Sequence, residues 1–164
     1  MKRLWAPWRM EYITGPEEEG CIFCNAVEAQ NDEKNLVIYR GKLSFVLMNK
    51  YPYNNGHLMI APYKHTGSIP ELKDEEFLDM LKLLKKSIVI LDKYGSPHGY
   101  NIGMNIGRVA GAGIVDHVHI HIVPRWKGDT NFMPVISETK VISEHIELTY
   151  KRLKELWGKT ENFS

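Results

Sequence analysis

One stretch constrains this chain more than any other: Asp116-His117-Val118-His119-Ile120-His121-Ile122-Val123-Pro124-Arg125. Three histidines alternate with β-branched apolar residues at a period of two. Successive side chains of a strand face opposite ways. The spacing therefore predicts a strand with Val118, Ile120 and Ile122 turned into a core and all three imidazoles on the other, exposed face. At about 3.3 Å per residue the row spans roughly 13 Å. Imidazole serves as nucleophile, as general acid or base, and as metal ligand, so three on one face make a reactive surface.

Such a strand needs a sheet around it. A chain of 164 residues, 43% hydrophobic and 25% charged, is enough for one compact domain with its own core. We expect a single domain over residues 1–164, with its core at about 20–126. A net charge of +1 gives no broad attraction to nucleic acid or to a membrane surface, so neither is expected as a partner. No apolar run approaches the roughly 18 residues of a membrane span. The opening Met1-Lys2-Arg3-Leu4-Trp5-Ala6-Pro7-Trp8-Arg9-Met10 is basic but lacks a continuous apolar segment. We therefore expect no signal peptide and a cytoplasmic location.

The elements follow in order. Residues 1–20 read as irregular, with Trp5, Trp8 and Tyr12 needing a surface to cover, either the body of the domain or a partner subunit. Leu36-Val37-Ile38-Tyr39-Arg40 and Leu43-Ser44-Phe45-Val46-Leu47-Met48-Asn49 form a hairpin across Gly41-Lys42. Tyr51-Pro52-Tyr53-Asn54-Asn55-Gly56 is a loop, and His57-Leu58-Met59-Ile60-Ala61-Pro62 a third strand. A helix starts near Asp74, with acids in its first turn, and carries a buried stripe of Phe77, Leu81, Leu84, Ile88 and Leu91. Lys82, Lys85 and Lys86 fall on its wet side, and Gly95 is its left-handed cap. Tyr100-Asn101-Ile102-Gly103-Met104-Asn105 is a fourth strand and the histidine segment the fifth. A last helix runs over about 143–157, with Ile146, Tyr150, Leu153 and Trp157 on one face. The class is α+β: a five-stranded antiparallel sheet, a long helix packed on it, and a C-terminal helix.

Two further features carry chemistry. Cys21 and Cys24 stand in Gly20-Cys21-Ile22-Phe23-Cys24, a spacing that suits half of a tetrahedral zinc site or a redox pair. A structural disulfide is the least expected of the options. Before the histidine strand lies Gly107-Arg108-Val109-Ala110-Gly111-Ala112-Gly113. Its glycines allow a close backbone approach to phosphate, yet it lacks the Lys and Ser/Thr of a P-loop, and a tight inter-strand turn explains it equally well.

His117-Val118-His119-Ile120-His121-Ile122-Val123 resembles the histidine triad motif, in which histidine and apolar residues alternate. Asn49, Gly56-His57, the glycine loop and Pro124-Arg125 follow in that family's order, over about residues 20–126. Leu4-Trp5-Ala6-Pro7-Trp8-Arg9 and the segment Gly128-Asp129-Thr130-Asn131-Phe132-Met133-Pro134-Val135 resemble a bacterial branch of diadenosine tetraphosphate phosphorylases and hydrolases. The resemblance implies nucleotidyl transfer through a covalent adduct on His119, with phosphate or water as acceptor. It implies that His121 hydrogen-bonds phosphate oxygens or the leaving group, and that His57 supports the site from the neighbouring strand. Asn49 would bind ribose hydroxyls, Asn105 would lie near the phosphates, and Gly111 and Gly113 would offer backbone N–H groups. Many relatives carry Gln and Ser or Thr in this loop, where this chain has Ala112-Gly113-Ile114. Relatives with the cysteine pair bind zinc through it, a later histidine and the first triad histidine. The implied ligands are thus Cys21, Cys24, His65 and His117, in a closed, structural site. Family members pair through the long helix and an edge strand, so a homodimer is expected. The alternatives are a nucleoside phosphoramidase and a slow-turnover nucleotide-binding regulator. His98 and His145 read as surface residues without a task.

Overall fold

The computed structural model describes residues 20–129 and 144–160; Trp5, Trp8, Tyr12, residues 130–135 and Ser143 lie outside them. Strands β1 (Val37–Arg40), β2 (Ser44–Met48), β3 (Leu58–Pro62), β4 (Gly99–Gly103) and β5 (Ile120–Arg125) form one antiparallel sheet in the order β1-β2-β3-β5-β4. Three helices pack around it: α1 (Ile22–Glu28), α2 (Asp74–Gly95) and α3 (Ile146–Lys159). The architecture is the α+β arrangement expected from the sequence.

Both faces of the sheet are covered, and strand parity decides which residue serves which face. On one face Ile38, Val46, Met48, Leu58, Ile60, Val118, Ile120 and Ile122 pack against Met80, Leu83, Ile90 and Leu91 of α2 and Tyr150, Leu153 and Trp157 of α3. On the other, Val37, Phe45, Leu47, Met59 and Ala61 pack against Phe23 and Ala26 of α1. Every residue of β2 and β3 is buried, which is why these two segments read as continuous apolar runs rather than as alternation.

Several expectations are corrected in detail. The buried stripe of α2 is Met80, Leu83, Ser87, Ile90 and Leu91, while Leu81 is 38% exposed and Phe77, Leu84 and Ile88 are half-buried. Adjacent apolar pairs, Met80-Leu81 and Leu83-Leu84, make two phases of the 3.6-residue period nearly equal in the sequence. Lys86 is half-buried, with its ammonium 4.9 Å from the Tyr39 ring centroid and 5.1 Å from that of Trp157. The left-handed cap of α2 is Ser96 (φ 43°), one residue past Gly95. Gly95 instead admits a neighbour. A Cβ there would lie 3.1 Å from Trp126, whose Nε1–H donates to the Gly95 carbonyl at 2.8 Å.

The histidine strand is shorter than its pattern suggests. The ladder pairs Leu58 with Ile122, Met59 with His121 and Ile60 with Ile120, so His117 and His119 precede β5. β3 ends at Pro62, which has no N–H to give. The extended run continues past it on another partner, with the Val118 N–H donating to the Thr66 carbonyl at 2.7 Å. Nor is the imidazole face exposed. Helix α1 lays Phe23 over it, and His117 and His119 are only 1% and 5% exposed.

Candidate functional site

The three imidazoles differ in what their two ring nitrogens touch. His117 turns Nε2 to the Pro62 carbonyl at 2.9 Å. A carbonyl only accepts, so this nitrogen carries the proton and Nδ1 is a lone pair. That Nδ1 lies 3.3 Å from Cys21 Sγ, 3.7 Å from Cys24 Sγ and 3.3 Å from His65 Nδ1. Cys24 Sγ is 3.4 Å from His65 Nδ1. All four ligand atoms fall within 4.8 Å of one another.

Local structure explains this meeting. Thr66 pairs with Val118, and Gly67 passes so close to the next turn that a Cβ would sit 2.5 Å from the Val115 carbonyl oxygen. His65 is thereby set beside His117, while Cys21 and Cys24 arrive at the start of α1. A tetrahedral zinc ion with ordinary bond lengths needs N···N edges of about 3.3 Å and S···N edges of about 3.5 Å, close to the observed separations. The outer nitrogen of His117 is anchored on a carbonyl, as ligating histidines generally are. Burial and the neighbouring Cys21 push the Cys24 thiol up to about 11, so without a cation it stays protonated. The donor set therefore fits a metal ion.

His119 is oriented by the chain itself. Its Nδ1 lies 2.9 Å from the His117 carbonyl oxygen, so Nδ1 is the donor and Nε2 the lone pair. Its ring packs 4.7 Å from Phe23 and meets the His121 ring edge-on at 4.6 Å. Burial lowers its basicity below the ordinary histidine value, so the ring is neutral near pH 7.

His121 takes its tautomer from His57. The Tyr53 backbone N–H lies 3.1 Å from His57 Nδ1, and a backbone amide can only donate. His57 Nε2 is then the protonated nitrogen, and it faces His121 Nδ1 at 3.0 Å. His121 accepts there and must carry its own proton on Nε2. Burial, with a smaller contribution from His119, holds His121 at about 4, so it too is neutral near pH 7. The site thus presents one imidazole lone pair, on His119, beside one imidazole donor, on His121.

The other expected residues are placed as follows. Asn49 is half-buried just past β2, with its side-chain Oδ1 accepting the Tyr51 N–H at 2.9 Å and its backbone N–H donating to the His57 carbonyl. Asn105 lies by the glycine loop, its Nδ2 4.0 Å from where a Gly111 Cβ would be. Gly111 adopts φ +88°, which favours glycine, and its N–H donates to the Arg108 carbonyl at 3.0 Å. Gly113 is exposed in the same loop. His98 has a structural task that its sequence context did not reveal, accepting the Lys127 N–H on Nδ1 at 2.8 Å. His145 is the residue preceding α3. Phe23 and Tyr53 were not singled out for the site from the sequence, since one is hidden inside the cysteine motif and the other in a polar loop. A cleft of about 610 Å³ lined by Asn54, Tyr94, Trp126, Lys127, Asp129 and Arg152, among others, contains none of the triad histidines.

Comparison with known proteins agrees with this geometry. Residues 30–128 match the family model described as "HIT domain". An "AP-4-A phosphorylase" of Mycobacterium tuberculosis is 36% identical over 167 residues, spanning 97% of this chain and 86% of that protein. The "Adenosine 5'-monophosphoramidase hnt1" of Schizosaccharomyces pombe is 36% identical over 105 residues, 64% of this chain and 74% of that one. Among solved structures, a "ZN-bound histidine triad family protein from Mycobacterium smegmatis" has a TM-score of 0.68 at 23% identity, covering 85% of this chain and 94% of its own. On the extent of these matches, the chain belongs to the HIT domain family.

Proposed function

We propose that this protein cleaves dinucleoside polyphosphates of the diadenosine tetraphosphate type by nucleotidyl transfer to His119. The observation that carries the reading is the hydrogen bond from His119 Nδ1 to the His117 carbonyl, which leaves Nε2 as a neutral nucleophile beside the His121 donor. His119 Nε2 attacks the α-phosphorus, and the bond from that phosphorus to the bridging oxygen breaks. The leaving oxygen departs as a phosphate anion, with its developing charge accepting a hydrogen bond from His121 Nε2–H. Phosphate or water then attacks the nucleotidyl-imidazole, restoring His119 and releasing ADP or AMP. The likeness to the mycobacterial phosphorylase over nearly the whole chain supports phosphate as the acceptor. Asn49 and Asn105 bind the nucleotide, and Gly113 is the loop amide we assign to the phosphates. The Gly111 N–H reaches them only if it leaves Arg108.

Cys21, Cys24, His65 and His117 hold a zinc ion in this reading, in a closed four-ligand set with no open position for substrate. Bound there, the metal supplies cohesion between α1 and the start of the histidine strand. The Zn-bound neighbour supports the assignment. Leu78 and Leu81 of α2 and Ile102 of edge strand β4 stand exposed, which supports a homodimer through these elements, and light scattering should report twice the chain mass. No helix among the described residues is long and apolar enough to cross a membrane, and a cytoplasmic location belongs to the same proposal.

The deciding experiment is incubation with diadenosine tetraphosphate, with and without inorganic phosphate. ADP plus ATP, dependent on phosphate, is the expected product pair. AMP plus ATP would move the assignment to hydrolysis, and an intact substrate would overturn it. A second reading, cleavage of adenosine phosphoramidates, is favoured by the yeast relative and uses the same nucleophile on a P–N bond. Faster turnover of adenosine 5'-phosphoramidate than of the dinucleotide would select it.

A further inference from the structure

The Tyr53 N–H sets the tautomer of His57 and, through it, that of His121, so whatever holds Tyr53 in place controls the donor of the site. We propose that Asn54 is the positioning residue that does this, by clamping the loop between β2 and β3 onto the end of β5; the proposal rests on the reading of His121 as hydrogen-bond donor to the leaving oxygen.

Asn54 is a polar side chain only 7% exposed. Its Nδ2 donates to the Pro124 carbonyl at 2.9 Å and to Asp129 Oδ2 at 2.8 Å. Both partners only accept, so the carboxamide has one permitted orientation and both its hydrogens are used. The anchor it grips is itself braced. Asp129 accepts from Arg125 Nε at 2.6 Å, from Arg125 Nη2 at 2.9 Å and from the Trp126 N–H at 3.1 Å. Arg125 Nη1 reaches on to Asn101 Oδ1 of β4 at 2.7 Å. On the loop side, the Asn54 carbonyl accepts the His57 N–H at 3.2 Å, and the preceding residue's amide is the one aimed at His57 Nδ1. The clamp and the tautomer-setting amide are thus consecutive residues, and a fixed Asn54 leaves the Tyr53 N–H little room to turn away.

The consequence is chemical as well as mechanical. His57 is fully buried, and its partner His121 Nδ1 stands 3.0 Å away. With the Tyr53 amide withdrawn, the donor that requires a lone pair on His57 Nδ1 is gone, and the tautomer with its proton on Nδ1 becomes accessible. Its Nε2 lone pair would then face His121 Nδ1, and the pair would be satisfied only with the His121 proton on Nδ1. His121 Nε2 would become a lone pair and have no hydrogen for the leaving oxygen. Asn54 touches no reacting atom in this account.

The test uses the full chain labelled with ¹⁵N at histidine. In the wild type, His57 and His121 should each give one protonated Nε2 and one lone-pair Nδ1 signal. Asn54→Ala should move both residues toward averaged shifts. It should lower kcat on diadenosine tetraphosphate about ten- to a hundredfold, with KM changed by no more than roughly twofold. Asn54→Ser, which keeps a single donor, should show a smaller shift of the same sign and serves if the alanine variant does not fold. Asn55→Ala, in the same loop, should match the wild type in both readouts. Wild-type histidine signals in both Asn54 variants would overturn the proposal, whatever happens to turnover or melting temperature. A wild type that leaves the dinucleotide intact would count against the proposed function alone, since the nitrogen signals report on the clamp without substrate.

Discussion

His117 and His121 stand at the two ends of one short run of chain, are the same residue type and point to the same face of the sheet, yet they are built for different work. His117 gives its Nε2 proton to a backbone carbonyl and turns Nδ1 into a cluster of two thiols and a second imidazole. His121 accepts on Nδ1 from His57 and keeps a proton on Nε2. One is sealed beneath Phe23 and the other is only half-buried. Alternation places an imidazole on a face, but the partner of its second nitrogen decides whether it offers a lone pair or a hydrogen, and to what. Between them, His119 is set by the His117 carbonyl, so the residue turned to the cysteines also orients the ring proposed as nucleophile.

The comparison breaks most decisively in the middle. His119→Ala removes the Nε2 lone pair, whereas the lone pairs of His117 and His121 are turned to the ligand cluster and to His57. Turnover of diadenosine tetraphosphate should fall by roughly three orders of magnitude or more, with fold and nucleotide binding nearly intact. Circular dichroism and an AMP-binding titration check the second half of that statement. Wild-type-like rates would remove the covalent mechanism. His121→Ala tests the donor end. A hydrogen bond to a charged oxygen is worth about 1.5–3 kcal/mol, roughly ten- to a hundredfold in rate, so the expected loss is smaller than at His119. It should shrink further for substrates with a better leaving group, because such a group builds up less charge for the hydrogen bond to stabilise. Equal losses across leaving groups would reduce His121 to a binding residue.

The opposite end predicts a different pattern. Cys21→Ser should remove one metal per chain, as read by elemental analysis of protein prepared without added metal or chelator. It should lower the melting temperature by about 5–10 °C, because metal-binding energy in a closed site is partly folding energy. Activity should fall less than in either histidine variant, since the ligand cluster reaches the proposed nucleophile only indirectly, through the His117 carbonyl and the Phe23 ring. A chain without metal, together with unchanged melting of Cys21→Ser, would return Cys21 and Cys24 to the role of a redox pair or buried apolar residues.

What the sequence made legible follows the same division. Period-two spacing in residues 117–123 and the succession of short apolar runs made the five strands and the face of each imidazole legible, because side-chain parity is local; that β5 lies between β3 and β4 is a nonlocal pairing. The four ligands named from the family resemblance do converge, with the Thr66–Val118 pairing and the bare Gly67 backbone doing the joining. The exposure of the row was misjudged for a nonlocal reason. α1 is a seven-residue helix with no periodicity to announce it, and its Phe23 lies across His117 and His119. The phase of α2 was off because paired apolar residues leave the buried face to be chosen by the sheet. The Asn54–Asp129–Arg125 clamp was illegible as well. It spans 75 positions from Asn54 to Asp129, and loop asparagines ordinarily read as turn formers.

The smallest effect concerns protons rather than turnover. His121 titrates at about 4 in the fold, against an ordinary value near 6.5 in an unfolded chain. Its folded value is depressed, so between those two pH values the unfolded chain binds a proton on this ring and the folded chain does not. Stability from this group is therefore complete above about pH 6.5 and declines as pH falls toward 4, with no further change below. Half-burial of the ring reduces the size of the effect, which we place on the order of 1 kcal/mol between pH 7 and pH 5. Release of a metal from the proposed zinc site would also lower stability in acid, so wild-type data alone do not isolate His121. A comparison with His121→Asn does, because both proteins carry the same cluster and the asparagine oxygen can still accept from His57. Urea midpoints at pH 7 and pH 5 should show the variant losing less on acidification than the wild type. Equal losses would mean that His121 keeps an ordinary affinity for protons in the fold. Its N–H would then be held as a cation near pH 6, and the contrast between a neutral donor end and a metal-ligand end would fail.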